Sequence, residues 1–233
     1  MNTIKKNIPN SITCLNILAG VLSIICTIKG DSPLWGLKGY EWGYIFIGIA
    51  AVADFLDGFC ARLLHAYSDM GKELDSLCDL VSFGVAPALA VYTCLESNGD
   101  SWVKWLALLI AVAGALRLAK FNVDTRQTEN FIGLPIPANA IFWIGYTSLV
   151  YAGSTLLSSD WMFAIAVIIE SWLMISPVKL FSLKFKTWGW KGNEFRWLLI
   201  ATAIALVFCM GVSGLMWLII VYVCYGLFDN ARK

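Results

Sequence analysis

Long apolar runs alternate with short polar segments along nearly the whole chain. Runs of this length read as membrane-spanning helices, because a bilayer core needs about 20 consecutive apolar residues of helix. They fall approximately at Asn10–Ile28, Gly43–Leu64, Lys72–Leu95, Trp102–Ala119, Leu134–Ala152, Trp161–Leu180, Phe195–Cys209 and Val212–Leu227. The pattern predicts an all-α, polytopic membrane protein with about eight transmembrane helices. The last two runs are short and separated only by Gly211, Val212 and Ser213, which predicts a helical hairpin over residues 195–228. Residues 1–9 predict a short interfacial helix ended by Pro9. No repeat or low-complexity tract interrupts the chain, so residues 1–233 read as one membrane-embedded domain.

Composition agrees with that reading. Hydrophobic residues make up 59% of the chain and charged residues 14%, too few charges for a water-soluble surface. A net charge of +1 argues against a nucleic-acid partner. The first apolar run lacks a small-residue cleavage site and reads as a retained span. All seven cysteines lie in apolar segments without a CxxC pair, which fits packing and argues against zinc or disulfides. With eight spans, Lys5, Lys6, Arg62, Lys72, Arg117, Lys120, Arg126 and all later basic residues share one side, while Lys29, Lys38 and Lys104 lie on the other. The positive-inside rule then places both termini in the cytoplasm and the protein in the cytoplasmic membrane. Trp35, Trp42, Trp102, Trp105 and Trp161 sit near span ends, as interfacial anchors do. Lys179, Lys184, Lys186 and Lys191, interleaved with Phe181, Phe185, Trp188 and Trp190, read as a segment on anionic lipid or a solvated basic loop.

The second and third runs carry four aspartates. Asp54 and Asp57 stand i, i+3 on one helix, and Asp75 and Asp79 stand i, i+4 on the next. Both spacings place a pair on one helix face, about 4.5 and 6 Å apart along the axis. The intervening loop is short, so the two helices are expected to be antiparallel neighbours with all four carboxylates at their cytoplasmic ends. Ionised carboxylates in a membrane are costly unless a cation pairs with them, and hard divalent metals suit oxygen ligands. A cation- or proton-coupled transporter also places acids in a membrane, although transport paths recruit them from several helices near the midplane.

The whole pattern is D-x2-D-G-x2-A-R-x8-G-x3-D-x3-D, formed by Asp54, Asp57, Gly58, Ala61, Arg62, Gly71, Asp75 and Asp79. It resembles the signature of the CDP-alcohol phosphotransferase family at every specified position. The segments IPNSITCLNILAG, LDSLCDLVSFGVAPALAVY, LRLAKFNVDT and FIGLPIPANA resemble the phosphatidylserine synthase branch of that family. One departure is Lys120, where arginine is frequent in the branch.

The resemblance implies a six-helix core, commonly in a homodimer, and a reaction in which an alcohol displaces CMP from CDP-diacylglycerol. It implies a divalent-metal site, Mg²⁺ or Mn²⁺ and two ions, held by Asp54, Asp57, Asp75 and Asp79. Asp79 is also implied as the base. Pro9, Thr13, Asn16, Gly58, Ala61, Arg62 and Gly71 are implied to border the donor. L-serine is the acceptor implied by the branch; glycerol 3-phosphate and inositol phosphate are the alternatives within the family. Arg117 suits a carboxylate, because a guanidinium pairs with it in bidentate fashion, and Lys120 and Asn122 follow on the same span. Ser82, three residues past Asp79, either lines the site or bonds its own helix.

Overall fold

The computed structural model describes residues 3–99, 101–123, 130–182, 189–190 and 193–231. Lys184, Phe185, Lys186, Trp188 and Lys191 of the basic, aromatic segment and Arg126 lie outside the described residues. Nearly all of the rest is helical. Helix α1 (Thr3–Thr27) and helix α2 (Gly39–Leu63) are joined by a small ribbon, β1 (Pro33–Leu34) with β2 (Leu37–Lys38). Its turn uses Trp35 at φ 46° and Gly36 at φ 88°. The chain returns tightly because α2 offers glycines where it meets α1. Ser23 Oγ donates to the Gly43 carbonyl at 2.8 Å, and a Cβ on Gly43 would lie 2.1 Å from Thr27 Oγ1. Small residues at a helix seam allow such approach in lipid, where apolar burial does not drive association.

Helix α1 departs from expectation at its start. It runs unbroken from Thr3 through Pro9, which therefore ends no separate helix. Pro9 stands early in the helix, and only one backbone donor is missing there. Helix α3 (Asp69–Asp79) continues through a π-helical turn, Leu80–Val85, into α4 (Ala86–Asn98). A 3₁₀ lead-in, Trp102–Ala107, precedes α5 (Leu108–Val123). Then come β3 (Asn130–Ile132), α6 (Ile136–Tyr151), α7 (Asp160–Ile175) and β4 (Lys179–Phe181). Helices α8 (Glu194–Met210) and α9 (Gly214–Ala231) complete the chain. Gly211 turns between them at φ 59°, and Phe195 meets Tyr225 with ring centroids 5.7 Å apart, so the two helices lie antiparallel.

The expected sixth span ran to Leu180, but α7 stops at Ile175. Pro177 has no N–H to continue the helix and restricts Ser176 before it. Beyond it, Lys179–Phe181 pairs antiparallel with Asn130–Ile132. The interior is centred on Trp143, Phe163, Val91, Ile110 and Tyr146, contributed by α4, α5, α6 and α7, with Met216 and Tyr222 of α9. Asn139, fully buried, ties this core together: its Nδ2 donates to the Phe83 carbonyl at 3.1 Å and its Oδ1 accepts from Trp143 Nε1 at 2.9 Å. The outward faces carry large apolar residues such as Leu15, Phe55, Ile204 and Phe208. In a chain this apolar, such faces meet lipid.

Among the described residues, five stretches are long and apolar enough to cross a membrane: Asn7–Thr27, Gly39–Leu63, Asp69–Ser97, Trp102–Val123 and Glu194–Asn230. The last contains both α8 and α9. Helices α6 and α7, at 16 residues each, are shorter than that measure. The protein is a helical membrane protein.

Candidate active site

Asp54 and Asp57 project from the last turns of α2, and Asp75 projects from α3. Their carboxylate oxygens come within 4.8 Å of one another. Helix α2 meets the expected neighbouring span at its π turn and α4, but hardly at α3 itself, and both α2 and α3 lean on α1. The acids therefore meet across a gap. A direct helix seam would leave no room for ions or substrate between them. Asp57 Oδ2 and Asp75 Oδ1 are buried without a hydrogen-bond partner. Buried acceptors are normally satisfied, so this group is incomplete as the protein alone. An all-oxygen, anionic donor set of this kind fits a hard divalent cation.

A cavity of about 220 Å³ opens beside the acids, lined by Asp57 and Asp75. Of the residues expected at the donor, Pro9, Thr13, Gly58, Ala61, Arg62 and Gly71 all line it. A Cβ on Gly58 would meet only Arg62 Nη1, at 3.8 Å, so any side chain there would stand in the cavity. Gly71 is confined instead. Its N–H donates to Ser68 Oγ at 3.0 Å, which caps α3, and a Cβ would lie 3.1 Å from Asn10 Oδ1. Lys72, expected on the side of the aspartates, also lines the cavity, and so do Asn10, Ala66, Tyr67 and Ser68, which were not singled out from the sequence. Most belong to the turn between α2 and α3, where His65 takes φ 49°. The N-cap serine three residues before Gly71 was the available signal.

Asp79 lies outside the group of three. It is nearly buried, and Asn16 Nδ2 donates to its Oδ1 at 3.0 Å. Asn16 does not line the donor cavity, contrary to expectation; it reaches Asp79 from α1. Ser82 does not bond its own helix, and it is not among the residues that line the donor cavity. Its hydroxyl donates to the Asn16 carbonyl at 3.0 Å. Gly20 makes room for it, since a Cβ there would lie 2.2 Å from Ser82 Oγ. The π turn begins directly after Asp79. Such turns rotate the following side chains relative to a regular helix and recur at functional sites.

The expected acceptor residues lie along α5, outside the described cavity. Arg117 is buried; its Nε donates to the Leu134 carbonyl at 2.8 Å and its guanidinium carbon stands 5.5 Å from the Phe121 ring centroid. It is within electrostatic reach of Asp79. Lys120 Nζ donates to the Ile175 carbonyl at 3.1 Å, at the end of α7. Asn122 faces α3: its Nδ2 donates to Ser76 Oγ at 2.9 Å, and its carbonyl accepts from Lys72 Nζ at 3.1 Å. Glu170 of α7 is buried with Oε2 unpartnered, and takes no part in the group around Asp57.

The family model for CDP-alcohol phosphatidyltransferase matches residues 6–176. The chain belongs to the CDP-alcohol phosphatidyltransferase family. Among its relatives, the CDP-diacylglycerol–serine O-phosphatidyltransferase of Methanocaldococcus jannaschii is 34% identical, over 100% of this chain and 99% of that protein. The Helicobacter pylori protein of the same name is 29% identical over 94% of this chain and 89% of its own length. The Mycobacterium leprae one is 38% identical over 74% of this chain and 57% of its own length.

Proposed function

We infer that this chain is a CDP-diacylglycerol–serine O-phosphatidyltransferase. It transfers the phosphatidyl group of CDP-diacylglycerol to the hydroxyl of L-serine, giving phosphatidylserine and CMP. The observation that carries the reading is the group of Asp54, Asp57 and Asp75, of which Asp57 and Asp75 stand on the wall of a cavity lined also by Gly58, Ala61, Arg62 and Gly71 of the signature.

Asp54, Asp57 and Asp75 would hold the divalent metal, Mg²⁺ or Mn²⁺, with Asp79 as the fourth ligand and two ions per site as the family resemblance implies. When bound, the metal supplies positive charge to the donor's pyrophosphate and to the leaving CMP. Arg62, at the cavity wall, adds a fixed cation for the same phosphates. Gly58, Ala61 and Gly71 leave space for the nucleotide, bordered by Pro9 and Thr13. Arg117 takes the carboxylate of serine, with Lys120 and Asn122 beside it on α5. The serine oxygen forms a bond to the lipid-linked phosphorus, and the bond from that phosphorus to the CMP oxygen breaks. The hydroxyl proton passes to Asp79, which Asn16 orients. Such transition states are loose, so holding the two substrates in line contributes more than early proton removal. The acyl chains stay in the bilayer throughout.

With purified protein and divalent metal, CMP release should be faster with L-serine than with glycerol 3-phosphate or inositol phosphate. Faster release with either phosphorylated acceptor would overturn serine as the acceptor. The reading includes eight spans around a six-helix core, both termini and the site on the cytoplasmic side of the cell membrane. Reporter fusions after Phe131 and at the C-terminus should then be cytoplasmic and one after Ser158 exported; an exported C-terminus would contradict it. A homodimer is also part of the reading, and light scattering of the solubilised protein should give twice the chain mass; a monomer mass would remove it.

A further inference from the structure

The family match ends at residue 176, yet the chain continues through β4, α8 and α9. Helix α9 turns one face, carrying Tyr222, Gly226 and Asn230 at successive i, i+4 positions, onto strand β4. Tyr222 is buried, and its hydroxyl donates to the Phe181 carbonyl at 2.9 Å. Gly226 lets the helix close on Leu180, whose Cδ2 would lie 2.5 Å from a Cβ there. Asn230 Nδ2 donates to the Lys179 carbonyl. All three residues of β4 are thus held by α9.

What β4 holds in turn leads to the site. It pairs with β3 in the register Asn130 with Phe181, Phe131 with Leu180 and Ile132 with Lys179. Directly after β3, Gly133 turns at φ 80° and its N–H donates to the Val178 carbonyl at 2.8 Å. A Cβ on Gly133 would lie 2.4 Å from the Met174 carbonyl oxygen, so the chain is pressed onto the end of α7. Leu134 N–H donates to the Leu173 carbonyl at 3.0 Å, and the Leu134 carbonyl receives Arg117 Nε at 2.8 Å. The path from α9 to Arg117 is therefore a continuous set of hydrogen bonds through a two-stranded ribbon.

We propose that the C-terminal hairpin is part of the acceptor site: α9 clamps the β3–β4 ribbon through Tyr222, Gly226 and Asn230, and the ribbon sets the Leu134 carbonyl that aims Arg117. The inference rests on the reading of Arg117 as the residue that binds the acceptor's carboxylate. Tyr222 is a positioning residue, because it acts through Arg117. A loosened clamp lets Arg117 keep its charge while losing its direction, and a bidentate pair depends on direction.

The test is steady-state kinetics of the full chain in detergent, with the KM for L-serine, the KM for CDP-diacylglycerol and kcat measured separately. Tyr222→Phe keeps the ring and removes the bond to Phe181; it should raise the serine KM about three- to tenfold, with the donor KM and kcat unchanged. Gly226→Leu, which presses on Leu180 without touching Arg117, should shift the same constant. In an Arg117→Ala background neither change should raise the serine KM further. The inference is overturned if both variants leave the serine KM unchanged while Arg117→Ala raises it, and Arg117's own role then stands. It is overturned if all three constants move together, or if the effects add fully to Arg117→Ala. If Arg117→Ala itself leaves the serine KM unchanged, the reading of Arg117 fails and the clamp with it. Thermal melting of each variant separates loss of the fold from loss of aim.

Discussion

Around the donor cavity, Asp57 and Asp75 each keep a buried oxygen without a hydrogen-bond partner. Along α5, Arg117, Lys120 and Asn122 each already hold a neighbour: the Leu134 carbonyl, the Ile175 carbonyl and Ser76. Both regions place charged or polar groups in an apolar surrounding, and they meet its cost differently. The carboxylates are left for a cation to satisfy, so their geometry is completed only by what binds. The basic side is anchored to backbone carbonyls at helix ends and strand ends, so its direction is set beforehand. Lys72 joins the two, lining the donor cavity while donating to the Asn122 carbonyl. A donor that is a lipid arrives already concentrated in the membrane. A small water-soluble acceptor does not, and a preset cation lowers the ordering cost of capturing it.

The comparison breaks first at the carboxylates. Asp54→Asn, Asp57→Asn or Asp75→Asn should each lower turnover by roughly 10²-fold or more, because each removes a negative ligand from a shared site. EDTA should silence the unaltered protein, with Mg²⁺ or Mn²⁺ restoring it. Full turnover in the chelator would remove metal from the account. A smaller and more selective effect is expected at Asp79, which Asn16 holds apart from the other three. Asp79→Asn should lower kcat by about 10²–10⁴-fold while binding of CDP-diacylglycerol largely survives. A parallel loss of donor and metal affinity would make Asp79 a ligand first and a base second.

The group of Asp54, Asp57 and Asp75 and the cavity-lining residues of the signature were legible because helical spacing puts neighbouring acids on one face and the family pattern fixes their neighbours; Asp79, expected with the other three, stands outside their group, bonded to Asn16. The apolar runs likewise marked the helices. What escaped was set by contacts between distant segments. Asn16 and Asp79 are 63 positions apart, and Ser82 and Asn16 are 66 apart, so no local pattern tells that they bond. The π turn at Leu80–Val85 lies in an apolar run whose composition is the same as that of an ordinary helix. Strand β4 was hidden for a similar reason: Val178–Phe181 continues the hydropathy of α7, and only Pro177 marks the break. The role of α9 was invisible because its grip on β4 uses backbone carbonyls.

The division between a donor side and an acceptor side is tested most directly by equilibrium binding of CDP-diacylglycerol, in the presence of Mg²⁺, to Asp57→Asn and Arg117→Ala side by side. Asp57→Asn should bind the donor far more weakly than the unaltered protein. Arg117→Ala should bind it as tightly as the unaltered protein, while its KM for L-serine rises by a factor corresponding to about 1.5–3 kcal/mol of lost charge-assisted hydrogen bonding. Equal weakening of donor binding in both variants would contradict the account, since the carboxylates and Arg117 would then serve one undivided site.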